Sequence, residues 1–155
     1  MATELSIQLS NNRPEIRNLR NRFDLFAKDN KIPTKAIHDV QLALDEIVTN
    51  IVEYGYDDDD KHLIDIKFIL NEQSLEIIII DDANPYNIFD KKNPDTSLSL
   101  EDKPIGGLGI YLVKHLMTNI DYDYRDGKNH LSLSKSLTEG DINWWISMNL
   151  ILAMQ

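Results

Sequence analysis

Residues 35–54 limit the folds open to this chain more than any other stretch. Ile37, Val40, Leu44, Ile47, Ile51 and Tyr54 recur at steps of 3 and 4, which predicts a helix with one buried stripe. Glu46 and Asn50 are four apart, so they stand one above the other on a different face. At about 100° per residue, Asp39 and Glu53 fall near the same line. A carboxylate there can take a proton, and an amide carbonyl one turn on can reach a metal. Taken alone, the pair reads as a solvated edge before it reads as a site. Asp39 and Glu53 read as solvated acids.

What surrounds this helix sets its partners. Leu5, Ile7 and Leu9 alternate with Ser6, Gln8 and Ser10, which predicts a strand with one buried face. Pro14 suits a first helical turn. Ile16, Leu19, Phe23 and Phe26 then carry helical spacing over about 13–28. Ile32-Pro33-Thr34 breaks and restarts the chain, with Thr34 the expected N-cap of the central helix. Gly55 ends that helix. Asp57 to Asp60 form an acid run read as a solvated loop; a divalent-metal site there needs ligands converging from elsewhere.

Leu63, Ile64, Ile66, Phe68 and Leu70 predict a second strand, and Leu75 to Ile80 a third. The third is apolar on both faces and therefore central in its sheet. Asp81 to Gly109 holds three prolines and three glycines without periodicity, and a loop of that length in a small domain is usually functional, often a lid. A short helix starts near Leu108. Ile120, Tyr122 and Tyr124 alternate with polar residues, Asp126 to Asn129 make a hairpin turn, and Leu131, Leu133 and Leu137 mark a last strand. Strands in runs beside separate helices predict an α+β fold. Its form is a two-layer sandwich with helices on one face of a mixed, mostly antiparallel sheet.

Bulk properties close off other classes. The chain has 155 residues, enough for one domain with a real core. Its net charge of −10 argues against direct nucleic-acid binding, which needs clustered Lys and Arg. It has no cysteine, so no disulfide framework and no thiolate metal site. No signal peptide is expected from Met1-Ala2-Thr3-Glu4, and no apolar run approaches the ~20 residues of a membrane helix. Residues 139–155 form a separate hydrophobic tail with Trp144 and Trp145. It reads as packing on this domain or a second copy, as a partner or membrane-surface contact, or as an end without a role. His38 and His115 read as surface helix residues, and His62 and His130 carry no assigned role.

Two further motifs bear chemistry. Asp81-Asp82-Ala83-Asn84-Pro85-Tyr86-Asn87 follows the central strand. A carboxylate at a strand end can accept a hydrogen bond from an exocyclic amine such as that of adenine, and Ala83 is small enough for a flat ring to come close. By itself this is also an ordinary strand-ending turn. Gly106-Gly107-Leu108-Gly109-Ile110 opens a helix. Backbone N–H groups there can hold phosphate, and glycine lets it approach. No Gly-Lys-Ser/Thr follows, and no strand directly precedes it, so it is neither a Walker A loop nor a dinucleotide fingerprint.

Together, in this order, the motifs resemble the GHKL ATPase/kinase superfamily with its Bergerat fold, and within it the anti-sigma factor serine/threonine kinase branch. Asp45 to Tyr56 is similar to that branch's N box, Asp81 to Asn87 to its Asp-x-(Gly/Ala)-x-Pro-Phe-Asp segment, and Gly106 to Ile110 to its second glycine box. Tyr122 to Asn129 resembles its closing hairpin. The resemblance covers about residues 5–137, so residues 1–138 are expected to form the ATP-binding kinase domain. It implies ATP and Mg²⁺ as cofactors. Asn50 would hold the metal and Glu46 would be the general base for a substrate serine. Asp81 would bind the adenine amine beside Ala83, and Gly107, Leu108 and Gly109 would form the phosphate turn.

The resemblance further implies a cytoplasmic protein that phosphorylates an anti-anti-sigma antagonist and sequesters a sigma factor by partner switching, as a homodimer. Position 83 is Ala where much of the superfamily has Gly, though this branch tolerates Ala; Tyr86 stands for Phe, Asn87 for Asp, and Tyr54 for a frequent His. No histidine-phosphoacceptor domain precedes the fold, so a full sensor kinase is not expected. The alternatives are an ATP-controlled protein-binding module of the same fold without turnover, and an ATP hydrolase or structural domain whose motifs are coincidental.

Overall fold

A computed structural model describes residues 2–90, 107–138 and 149–154. The elements in chain order are β1 (Thr3–Ser10), α1 (Arg13–Asp29), α2 (Thr34–Tyr54), β2 (Leu63–Leu70), β3 (Ser74–Asp81), a single 3₁₀ turn (Ile88–Asp90), α3 (Gly107–Leu116), β4 (Asn119–Arg125) and β5 (Lys128–Ser136). The five strands form one sheet in the order β1-β2-β3-β5-β4, with every neighbouring pair antiparallel. The expected α+β sandwich forms, and its described strands need no parallel pair.

Alternation along the strands explains the two layers. Ile7, Leu9, Ile64, Ile66, Phe68, Leu75, Ile77, Ile79, Leu131 and Leu133 are buried on one face, beneath the helices. Phe23 of α1 stacks on Phe68 with ring centroids 4.9 Å apart. Each such fully buried side chain contributes roughly 1.5–3 kcal/mol. Ile78 and Ile80, on the other face of β3, are half-buried, as the doubly apolar third strand requires. That strand is the middle one of five.

The caps depart from expectation at one place. Asn12 caps α1 by accepting from the Glu15 N–H, with Pro14 in the first turn. α2 begins at Thr34 itself, with Pro33 in the N-cap position and no side-chain cap. The fixed ring of Pro33 sets extended backbone just before the helix, so Thr34 enters as its first residue. Tyr54 is a second departure. It continues the periodic stripe, yet it is 71% exposed and borders an open cavity.

Asp126 (φ 54°) and Gly127 (φ 73°) make the two-residue turn between β4 and β5, the left-handed pair that such a hairpin favours. Among the described residues no helix is long and apolar enough to cross a membrane. Of the tail, residues 149–153 are helical, and Ile151 and Met154 pack on the hydrophobic core while Leu152 is exposed. Trp144 and Trp145, like Pro94, Pro104 and Gly106 of the long loop, lie outside the described residues.

Candidate functional site

The end of α2, the end of β3, the start of β5 and the first turn of α3 enclose a cavity of about 340 Å³. Its apolar wall comes from Ile47, Ile51, Ile79, Ile110 and Leu131, and Tyr54, Tyr86 and Tyr122 also line it. Asn50, Asp81 and Ala83 all face into this one space. A concave, mostly apolar pocket with a few converging polar groups is the usual form of a small-molecule site.

Sheet register builds the polar floor. Asp81 ends β3 directly opposite Asn129 of β5. Asp81 Oδ1 accepts from Asn129 Nδ2 at 2.9 Å and from the Ala83 N–H at 3.0 Å. Its Oδ2 takes no hydrogen bond among the described residues, so one carboxylate oxygen is held and the other is left for a ligand. Burial pushes the Asp81 carboxyl above the usual carboxylate range, partly offset by the two donated hydrogen bonds.

Asn129, which the sequence placed only in a turn, is the hub of this floor. It is 5% exposed. Its Nδ2 also donates to the carbonyls of Ala83 (3.1 Å) and Asn84 (3.2 Å). Its Oδ1 accepts from the Tyr122 hydroxyl at 2.5 Å and the Tyr86 N–H at 3.1 Å. One buried amide therefore fixes the whole 81–86 turn.

Ala83 is small for a reason beyond ligand approach. A Cβ placed on Gly55 would sit 2.8 Å from the Ala83 Cβ and 2.5 Å from the Ile51 carbonyl oxygen. The Gly55 carbonyl also accepts from the Asn84 N–H at 2.9 Å. The end of α2 is thus pressed against the turn after β3, which brings Asn50 to the same cavity as Asp81.

Glu46 stands one turn from Asn50, outside the cavity lining and against α3. A Cβ on Gly109 would overlap its carboxylate, with the carboxyl carbon only 2.6 Å away. A Cβ at 109 would require the Glu46 carboxylate, the flexible end of its side chain, to move. Glu46 is half-buried; burial first, and the neighbouring Asp45 second, raise its pKa. Asp45 itself is raised by burial and opposed by Arg20, 3.0 Å away. Neither Glu46 nor Asn50 makes a side-chain hydrogen bond among the described residues. Gly107, Leu108 and Gly109 open α3 and do not themselves line the cavity, which Ile110 of the same turn does; the first N–H groups of a helix have no intrahelical partner.

The donor set fits a magnesium ion. Mg²⁺ takes few protein oxygens and keeps waters or phosphate oxygens for the rest. Asn50 offers one amide oxygen without a hydrogen bond among the described residues, and the adjoining cavity leaves room for such further ligands. No group of three or more His, Cys, Asp or Glu able to hold a metal occurs among the described residues. The acid run at Asp57 to Asp60 is instead tied by hydrogen bonds: Asp58 Oδ1 to His62 Nε2 at 2.7 Å, and Asp57 to the Asn84 side chain at 2.8 Å.

His62, given no role from the sequence, bridges that loop to β3. Its Nδ1 lies 3.0 Å from Asp82 Oδ2, and its ring stacks on Tyr56 at 4.1 Å. Asp82 and then Asp58 hold its pKa above the ordinary histidine value. The acids Asp39 and Glu53 are not free in solvent either. Asp39 is 4% exposed and lies 2.8 Å from Lys135 Nζ. Glu53 pairs with Arg13. Both have cations brought to them by distant segments.

The fold is an α+β sandwich with an apolar cavity of small-molecule size at its helix–sheet edge. The model of the histidine kinase-like ATPase domain matches residues 9–135, and the chain belongs to that family. It is similar to the serine-protein kinase RsbW of Bacillus subtilis, 30% identical over 108 residues, which is 66% of this chain and 64% of that protein. It is 31% identical over 96 residues to the RsbW of Bacillus velezensis, and 37% over 95 residues to that of Bacillus cereus, covering 59% of each chain in both cases. The chain thus spans about three-fifths of the relatives it matches. In a crystal structure, the RsbU and RsbW domains of a Mycobacterium tuberculosis protein share the fold at a TM-score of 0.58 and 16% identity, over 86% of this chain and 32% of that one.

Proposed function

We propose that this chain is an ATP-dependent serine/threonine protein kinase of the anti-sigma type. It would phosphorylate a small anti-anti-sigma antagonist and bind a sigma factor in alternation with it, acting as a homodimer. The observation that carries the reading is the convergence of Asp81, Asn50 and the start of α3 on one apolar cavity. Similarity to serine-protein kinases supports the choice of protein substrate.

The division of labour is the one the family resemblance implies, and the shared cavity supports it. Oδ2 of Asp81 accepts from the exocyclic amine of adenine, while Ile47, Ile79 and Ala83 close on the ring. Asn50 would hold Mg²⁺ through its amide oxygen, and the bound metal would neutralise phosphate charge. The N–H groups of Gly107, Leu108 and Gly109 hold phosphate oxygens. Glu46 takes the proton of the substrate serine hydroxyl. The serine oxygen then bonds to the γ-phosphorus as the bond to the ADP oxygen breaks. Such transfer rests mainly on positioning and charge neutralisation. A base with a raised pKa suits the role, because it holds the proton it removes.

A second reading, an ATP-controlled protein-binding module without turnover, draws on one observation: Glu46 lies against Gly109 rather than in the cavity lining. One experiment separates the two. Mg-ATP, the protein and a small antagonist domain are incubated and phosphoserine is measured by mass spectrometry. The kinase reading expects transfer that Glu46→Gln abolishes while ATP affinity is kept. ATP binding without any phosphoserine would leave the binding module.

A further inference from the structure

One buried ion pair lies outside the cavity lining. Lys135 on β5 and Asp39 on α2 are 6% and 4% exposed, with Nζ and Oδ2 2.8 Å apart. The approach lacks aligned hydrogen-bond geometry at Asp39. The directed hydrogen bond of Lys135 goes instead to the Leu116 carbonyl, at 2.7 Å. Leu116 is the last residue of α3. One ammonium group therefore holds the C-terminus of α3 against a fixed point on α2, where a cation also suits the helix dipole.

The placement of this anchor matters because α2 and α3 touch again at their other contact. Glu46 lies on Gly109. It is seven residues along α2 from Asp39, and Gly109 is seven residues back along α3 from Leu116. Each interval is about 10.5 Å of helix. The two helices run antiparallel and are pinned at matched points. α3 has 10 residues, a rigid rod of about 15 Å. A shift at its C-terminal pin is carried to its N-terminal turn.

We infer that Lys135 and Asp39 are positioning residues. They set the register of α3 on α2, and so hold the Gly107–Gly109 turn where it can meet phosphates. β5 then has two polar ends on its helix-facing side. Asn129 fixes the base end of the site, and Lys135, six residues on and about 20 Å away, fixes the phosphate end through α3. Leu131 and Leu133 fill the space between them.

The inference rests on the proposed ATP site, and the test keeps the two apart. Adenosine and Mg-ATP are titrated calorimetrically into the wild type and two paired variants. D39L/K135M replaces the pair by apolar groups of similar volume, a change that buried ion pairs often tolerate. D39N/K135Q keeps the shape and removes both charges. The expected result is folded protein with adenosine affinity within about twofold of wild type. ATP affinity falls about tenfold or more, the worth of one hydrogen bond to a charged group. Equal affinities for both ligands, a parallel loss of both, or failure of both variants to fold overturns the positioning role. Wild type that binds neither ligand overturns the ATP site itself.

Discussion

At one end of the cavity, Asp81 is bound by Asn129 and the Ala83 N–H, and Asn129 gathers in two carbonyls, a hydroxyl and another N–H. At the other, Asn50 and Glu46 carry no side-chain hydrogen bond among the described residues, and Glu46 lies against Gly109. The first end is braced before any ligand arrives and leaves Asp81 Oδ2 open. The second has unmatched oxygens that a cation or phosphate chemistry would complete. A rigid base pocket beside an open phosphate end fits a protein that must hold its nucleotide yet admit a second reactant to the γ-phosphoryl.

The base end breaks most severely at its hub. Asn129→Ala removes all five hydrogen bonds and leaves buried carbonyls and Asp81 Oδ1 short of donors. Unmatched buried polar groups cost about 1–3 kcal/mol each, and partial collapse lowers the sum, so a loss of roughly 2–4 kcal/mol is expected in urea unfolding. Adenosine and ATP affinities should fall together. Loss of ATP affinity alone would show that Asn129 acts on the phosphate end, and the contrast drawn here would fail.

Gly109→Ala tests the opposite end. Helix propensity alone favours alanine by roughly 1 kcal/mol. The added methyl overlaps the Glu46 carboxylate, so Glu46 must move. Misplacement of a reacting group by about 1 Å can cost about 100-fold in rate, and phosphoserine formation is expected to fall by that order while adenosine affinity holds. Undiminished transfer would remove Glu46 from the base role.

Asp81→Asn changes charge without shape. The amide oxygen can still accept from Asn129 and Ala83, but its NH₂ faces the adenine amine donor instead of a carboxylate oxygen. ATP affinity should drop about tenfold. Stability should move the other way. Burial raises the Asp81 pKa in the fold, so the folded state keeps its proton where the unfolded state has lost it. The contribution of Asp81 to stability therefore falls as pH rises from the ordinary carboxylate value through the raised one, and is level above it. The Asn variant should lack that decline and be the more stable protein at neutral pH, as urea melts from acidic to neutral pH would read out. A variant less stable at neutral pH would mean that ionised Asp81 is matched by something other than Asn129 and Ala83.

These residues also mark how far the sequence could be read. Glu46 and Asn50 were legible because helical periodicity is local. Asp81 was legible because it ends an apolar run. The base end as a working unit was not, because it depends on the pairing of β3 with β5, 48 residues apart at Asp81 and Asn129. The same holds for Asp39. On a helical wheel it shares a line with Glu46, but β5 lies over that part of α2 and brings Lys135 to it. Tyr54 errs in the reverse direction: its spacing is right, and it borders the cavity instead of the core. Local patterns gave each element and its chemistry, and long-range register decided which polar groups are paired.

The smallest effect concerns Tyr122, at the outer edge of the base end. Its hydroxyl donates to Asn129 Oδ1 and accepts from the Tyr86 N–H at 3.2 Å. Tyr122→Phe leaves Asn129 Oδ1 with the Tyr86 N–H as partner, so neither buried group is orphaned. The loss should be about 1 kcal/mol, the worth of one net hydrogen bond. The comparison sharpens if that loss appears equally in stability and in adenosine affinity, because the hub then transmits an edge change to the base pocket. A stability loss with adenosine affinity unchanged would confine the hub's role to holding the turn, and Asp81 would be aligned by the Ala83 N–H and the sheet register alone.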